Sequence, residues 1–283
     1  MSNFWARTIT GLSLVFILLL ALFFSGWVFA AIFLVITVLG LWEFYGLITG
    51  DSCHPQKYYG TAAGIVLYVA TALVCLVPGA ASPDRLWVSF LPFLLPIPLI
   101  FIPFILEIYR NKPNPLINVA TTIIGMLYLS WPMSLLIYFN RPDVLHYMGL
   151  PVILVGYFSF TWIYDTVAYL YGKQFGKHKF FERISPKKTW EGTIAGAMIT
   201  LLVALGLHFL VKELPLADWL VLAAMVIFFG THGDLFESLL KRSLNIKDSG
   251  NILPGHGGIL DRFDTMLISA PFVFLYFYFR LFI

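Results

Sequence analysis

The chain has 283 residues, 59% of them hydrophobic and 17% aromatic, and only 12% are charged. Soluble domains carry roughly 25% charged residues, so the composition excludes an ordinary soluble protein and points to an integral membrane one. A net charge of +3, from 18 basic and 15 acidic residues, is too slight an excess to argue for a nucleic-acid partner.

Crossing the hydrocarbon as a helix takes about 20 mostly apolar residues. On that criterion nine spans are drawn, at 8–25, 27–48, 58–78, 86–109, 116–139, 150–172, 190–211, 216–240 and 265–282. The first follows Arg7 and approaches small residues near Ala30, as a cleaved signal would. A signal core is about 7–15 residues, whereas Ile9 to Phe24 is longer, so a retained span is expected. The fourth contains Pro92, Pro96, Pro98 and Pro103, which remove backbone donors and predict a kink or break. Cys53 falls in a loop and Cys75 in a span, which predicts no disulfide, and neither has a metal-ligand spacing.

Lysine and arginine accumulate on the cytoplasmic side of membrane proteins. With the N-terminus inside, only Arg85, Arg141, Lys212 and Arg280 of the 18 basic residues fall on the far side. The polar segments 173–189 and 241–264 are then both cytoplasmic. The expected fold is all-α: a polytopic helical bundle of about nine transmembrane helices in a single membrane domain. Residues 1–149 would form its scaffold and residues 150–283 its chemically active half.

In span six, Asp165 lies about two turns short of the cytoplasmic end. A carboxylate there costs about 2.5–3.5 kcal/mol on insertion scales, so it is expected to face protein or water. Its bland reading is an interhelical partner. Next comes "GKQFGKHKFFERISPKKTWEG", where Lys173, Lys177 and Lys179 are explained by the positive-inside rule or by anionic lipid. "SPKKTWEG" differs in kind. Ser185 and Pro186 suggest a turn, and Thr189 a cap on the helix beginning near Trp190; a helix N-terminus beside Lys187 and Lys188 suits phosphate.

Span eight is apolar for only half its length before "THGDLFESLLKRS", so its second half must line a hydrated cavity or leave the bilayer. Asp234, Ser238 and Lys241 share one helix face. Glu237 and Lys241 are spaced for an i,i+4 ion pair, the preferred reading of Glu237, and His232 is read as a hydrogen-bonding helix residue. In "KDSGNILPGHGGILDRFD", at 247–264, glycines permit close backbone approach to a ligand, and Asp261 and Asp264 lie one turn apart near a helix N-terminus. Either could be a mere cap or dipole partner. Four carboxylates, Asp234, Asp248, Asp261 and Asp264, set against a lysine-rich face instead suggest phosphate with a hard cation such as Mg²⁺.

Positions 238–264, "SLLKRSLNIKDSGNILPGHGGILDRFD", resemble throughout the signature of the phosphatidate cytidylyltransferases, or CDP-diacylglycerol synthases: S-x-x-K-R, K-D-x-G, L-P-x-H-G-G and D-R-x-D. "SPKKTWEG" and "TWIYDTVAY" are similar to the family's other polar segments, in the expected order, while the N-terminal half resembles it only in hydropathy. The resemblance implies transfer of a cytidylyl group from CTP to phosphatidic acid, giving CDP-diacylglycerol and pyrophosphate with Mg²⁺. It also implies a homodimer with its active site open to the cytoplasm and the inner leaflet; the short chain without long tails suggests a bacterial inner membrane. The family's paired metal centre falls on Asp234 and Asp261, with K⁺ as the second cation.

The chemistry of the residues agrees with this. A lipid phosphate is already an anionic nucleophile, so no serine, cysteine or histidine nucleophile is needed. Charge screening is needed. Asp165, Asp248 and Asp264 are therefore assigned as supporting or additional ligands. Lys187, Lys188, Lys241, Arg242 and Arg262 are expected phosphate binders, and His256, Gly257 and Gly258 part of a triphosphate cradle. Two alternatives stand beside this reading. One is another membrane lipid-phosphate nucleotidyltransferase or lipid kinase. The other is an ion-coupled transporter, disfavoured because the charges cluster at one face and no internal repeat is visible.

Overall fold

Apolar runs that cross hydrocarbon become helices because each backbone donor and acceptor is then satisfied inside its own segment. The computed structural model describes residues 3–77, 90–142, 144, 151–252 and 257–282, with backbone alone at 3–12, 14, 281 and 282. Its first helices are α1 (Asn3–Phe24), α2 (Gly26–Ile48), α3 (Lys57–Leu76), α4 (Leu91–Leu94), α5 (Pro96–Ile108) and α6 (Pro115–Gly125). A π-helical turn (Met126–Ser130), α7 (Trp131–Leu135) and a 3₁₀ turn (Leu136–Asn140) continue α6. There follow α8 (Val152–Phe175), strands β1 (Lys179–Phe181) and β2 (Ser185–Thr189), and α9 (Trp190–Leu210). Last come α10 (Leu216–Met225), a second π-helical turn (Val226–Gly230), α11 (Thr231–Ser243) and α12 (Leu260–Phe282).

The described residues of each of the nine drawn spans fall on a helix or helical run, while 78, 86–89 and 150 lie outside the described residues. Among the described residues, seven runs are long and apolar enough to cross a membrane: Gly26–Ile48, Lys57–Leu76, Leu91–Ile108, Pro115–Asn140, Val152–Phe175, Trp190–Leu210 and Leu216–Ser243. The first and last drawn spans coincide with α1 and α12. The protein is thus an all-α, polytopic membrane fold. Cys53 is half-buried in the loop after α2, and Cys75 is buried within α3.

The chain divides into two units, Met1–Leu145 with Asp248–Phe263, and His146–Lys247 with Asp264–Ile283. In the first, the proline-rich span is interrupted at Leu95, whose φ of −60° and ψ of −36° remain helical. The interruption is therefore a loss of regular hydrogen bonding and not a sharp corner. Pro103 supplies no N–H to the carbonyl of Leu99 one turn back; the Tyr59 hydroxyl donates to that carbonyl instead, at 2.8 Å. Around the buried Tyr45, whose hydroxyl donates to the Thr122 carbonyl at 2.7 Å, α2, α3 and α6 approach through Gly60 and Gly125.

In the second unit, α8 and α9 cross at Gly172, Gly192 and Gly196; a side chain at Gly192 would run into the Ala168 carbonyl. The buried hydroxyls of Tyr157 on α8 and Ser269 on α12 lie 2.6 Å apart. Tyr276 and Arg280 of α12 hold the buried Asp218 carboxylate of α10, at 2.7 and 3.4 Å.

One expectation needs correction. "SPKKT" is not a turn. Residues Ser185–Thr189 form β2, antiparallel to β1, with Lys179 opposite Thr189 and Phe181 opposite Ser185. The Trp190 N–H donates to the His178 carbonyl at 3.0 Å, and the Phe180 and Trp190 rings pack edge to face at 4.5 Å. Pairing within this short hairpin satisfies backbone groups that a bare turn would leave to water.

Candidate active site

The second unit gathers most of the polar residues singled out above. The Thr189 hydroxyl accepts from the Gly192 N–H at 3.2 Å, capping α9 as expected and fixing where β2 ends. That cap, and the glycine contact between α8 and α9, bring Lys187 and Lys188 alongside Asp165. A cavity of about 190 Å³ results, lined by Tyr164, Asp165, Lys187, Lys188, Thr193 and Asp234 among others.

Asp234 reaches this cavity from α11, which enters through the π-helical turn of Val226–Gly230. Such turns are rare and frequently mark functional sites. The Lys188 ammonium lies 2.5 Å from the Asp234 carboxylate, and both side chains are about three-quarters buried, with 24% and 28% of their surface exposed. Burial pushes the Lys188 ammonium toward losing its proton, but the Asp234 carboxylate, aided by Asp165, more than offsets this and holds its pKa above the ordinary lysine value. Ser238 donates to Asp234 at 3.3 Å. One turn before Asp234, the Thr231 hydroxyl lies 2.7 Å from that of Tyr164.

Glu237 and Lys241 form the expected ion pair, at 2.5 Å, with Glu237 almost fully buried. The His232 imidazole Nδ1 lies 2.6 Å from the Phe228 carbonyl, in keeping with a hydrogen-bonding helix residue. Arg242 is exposed and donates to the Ile246 carbonyl at 3.3 Å. Asp264, on α12, accepts from the Thr265 N–H at 2.7 Å and feels the charges of Asp234, Glu237 and Asp165.

The first unit holds Asp248, Gly257, Gly258, Asp261 and Arg262. Asp261 Oδ2 accepts from the Ser249 N–H at 2.9 Å, the Ser249 hydroxyl at 3.0 Å and the Gly258 N–H at 2.8 Å. Asp248 and Arg262 are exposed. Gly257 adopts φ +84°, which L side chains rarely adopt, and Gly258 has no room for a Cβ against Glu43 and Ser249. The Gly258 N–H thus serves the protein's own carboxylate. His256 lies outside the described residues.

Sequence reasoning passed over Glu43. This buried residue of α2 accepts from the Ser249 hydroxyl, from the Ile259 N–H at 2.8 Å and from the Leu260 N–H at 3.3 Å. It thereby caps the N-terminus of α12, just ahead of Asp261. The available signal was a lone acid inside an otherwise apolar span, the argument already applied to Asp165. Tyr164, Thr193, Thr231 and Ser249 carried no comparable signal.

Among the described residues, no three His, Cys, Asp or Glu side chains group into a complete metal cage. Mg²⁺ binds through one or two carboxylates, substrate phosphates and retained waters. The oxygen donors and flanking lysines at the second unit's cavity fit such an ion when phosphate accompanies it.

Comparison with known proteins agrees with the residues. A phosphatidate cytidylyltransferase of Staphylococcus haemolyticus is 43% identical over 158 residues, 55% of each chain. One from Staphylococcus saprophyticus is 42% identical over the same proportions. One from Staphylococcus aureus is 35% identical over 201 residues, 70% of this chain and 73% of the relative. The chain thus matches little more than half the length of the first two. The model of the cytidylyltransferase family matches residues 5–280, nearly the whole sequence, and the protein belongs to that family.

Proposed function

We propose that this protein transfers the cytidylyl group of CTP to phosphatidic acid, giving CDP-diacylglycerol and pyrophosphate. The observation that carries the reading is the Lys188–Asp234 pair at a cavity also lined by Lys187 and Asp165. The names of the staphylococcal relatives support the same activity.

In the proposed reaction, an ionised oxygen of the lipid phosphate attacks the α-phosphorus of CTP. The bond from that phosphorus to the bridging oxygen of the β-phosphate breaks, and pyrophosphate leaves with the electron pair. The lipid brings its own nucleophile, so the protein's task is positioning and charge neutralisation. Lys187 and Lys188 bind phosphate oxygens, and Lys188 keeps its proton through neutral pH because Asp234 lies beside it. Tyr164 and Thr231 fix the cavity wall behind them. Asp234 of the second unit and Asp261 of the first are each assigned as Mg²⁺ ligands, and the metal would supply charge screening for the triphosphate and the leaving group. Glu43 and Ser249 orient Asp261. Asp165, Asp248 and Asp264 support the ligands, and Lys241, Arg242 and Arg262 add positive potential.

The reading includes a homodimer in a bacterial inner membrane, with the lysine-bearing segments facing the cytoplasm. The deciding experiment incubates the purified protein with labelled CTP, Mg²⁺ and, in separate reactions, phosphatidic acid, a polyprenyl phosphate and diacylglycerol. Equimolar CDP-diacylglycerol and pyrophosphate from phosphatidic acid alone are expected. Failure to consume CTP with phosphatidic acid, or faster turnover of another acceptor, overturns the proposal.

A further inference from the structure

A second cavity, with basic residues in its wall, lies in the first unit, where α2 ends, α3 begins and α5 ends. It measures about 560 Å³, and its walls include Lys57, Arg110 and Lys112 beside Tyr58, Leu106 and Tyr109. Among the described residues that line it, none is acidic. The basic groups are arranged by the fold. The Lys57 ammonium sits 3.5 Å from the centre of the Trp42 ring, against which Tyr58 packs edge-on. The Arg110 guanidinium donates to the His54 carbonyl and to Glu107, each at 2.8 Å. Glu107, buried behind the cavity, also accepts from Gln56 and Asn118, both at 2.7 Å. Its charge is therefore spent on Arg110, and Lys57 and Lys112 carry the surplus.

The apolar side of the cavity is as telling. Tyr58 and Tyr109 are about four-fifths exposed, and α5 presents Phe101, Ile105 and Ile108 outward. Amphipathic rings at the ends of spans, above an outward apolar helix face, are features of the membrane–water boundary. The positive-inside rule alone accounts for basic residues in these loops, but not for a concave site whose arginine is held by a buried carboxylate.

We propose that this cavity binds an anionic glycerophospholipid, with its phosphate between Lys57 and Lys112 and its acyl chains along the exposed face of α5. The charge complementarity and the apolar face together select a lipid over a soluble anion. This inference does not depend on the cytidylyl-transfer reading, and turnover is not its readout.

The test uses the full chain in detergent, with lipid retention measured by native mass spectrometry during titration with phosphatidylglycerol or phosphatidylcholine. Wild-type protein is expected to retain phosphatidylglycerol preferentially. Lys57→Gln/Lys112→Gln should lower that affinity about thirtyfold, given the attraction of each basic residue for anionic lipid. Lys57→Arg/Lys112→Arg, which keeps the charges, should retain it, and so should Lys179→Gln, outside the cavity. Equal retention of the two lipids by the wild type, or an unchanged affinity in Lys57→Gln/Lys112→Gln, overturns the proposal. Displacement of phosphatidylglycerol by millimolar inorganic phosphate, to the extent of that double substitution, overturns the lipid assignment in favour of a free-phosphate site. Should the glutamine variant unfold, the wild-type lipid preference and its loss at high salt still decide the matter.

Discussion

The carboxylates of Glu43 and Asp261 meet at one hydroxyl, that of Ser249. A single proton serves two acceptors there, and the backbone donors of Gly258, Ile259 and Leu260 complete their coordination. Glu43 thereby sets where α12 begins, and with it where Asp261 points. Glu43→Ala should leave buried donors unmatched and destabilise the protein by about 1–3 kcal/mol, read as a fall in thermal midpoint in detergent. Glu43→Gln, which keeps an acceptor, should recover much of that stability while turnover falls more than KM for CTP rises. Unchanged turnover in both variants would detach Glu43 from the site.

Gly258 is the complementary probe. A methyl group there would meet Glu43 and Ser249 directly, so Gly258→Ala should displace the Asp261 contacts. Overpacking of this kind costs about 1–3 kcal/mol, and the variant should melt earlier than Gly46→Ala, where nothing lies within 4 Å.

The Lys188–Asp234 pair makes a prediction about pH. The folded-state pKa of Lys188 is raised above 10.5, so its stabilising contribution is fully present below that value. It is lost only as pH rises through the folded-state value. The difference in stability between wild type and Lys188→Met should therefore stay constant from about pH 7 to 10 and shrink above that window. A difference that already shrinks between pH 7 and 9 would contradict the pairing.

Asp234→Asn and Asp261→Asn separate metal chemistry from folding. Each is expected to lower kcat at least about a hundredfold, in the range that removal of electrostatic stabilisation produces, while the protein stays folded. Asp234→Glu, which keeps a carboxylate, should recover part of the activity at a higher Mg²⁺ requirement. Near-normal turnover of either asparagine variant with Mg²⁺ present would refute its metal role.

Thr189→Ala removes the cap of α9 and should cost about 1 kcal/mol. Because the capping residue directly follows Lys188, KM for CTP should rise as well. Thr189→Ser should restore both quantities.

What could be read from the sequence was what burial and length dictate. Nine spans follow from apolar length, and Asp165, Asp234, Lys187 and Lys188 stood out as charges in or beside lipid. They line one cavity. Glu43 carried the signal of a lone acid in an apolar span, but its partners are remote in the chain: its bond to Ser249 joins residues 206 apart. No local pattern encodes such a contact. The hairpin escaped because "SPKKT" has only Thr189, at its end, of the β-branched or aromatic residues that mark a strand; tertiary pairing, not propensity, makes it one. Gly257 and Gly258 were read as places where a ligand could approach the backbone; the groups found close to them are the protein's own, Asp261 at Gly257 and Glu43 with Ser249 at Gly258.

The π-helical turn at Val226–Gly230 has a consequence for evolution as well as for chemistry. Each residue advances an α-helix by about 100°, so removing one residue from this turn would swing everything after it round the axis by about that angle. Hydropathy and length would hardly change, and the span would still insert. Asp234 would face elsewhere, away from Lys188. Insertions and deletions within these five residues are thus a sharper test of function than most point substitutions, because they alter aim while leaving composition alone.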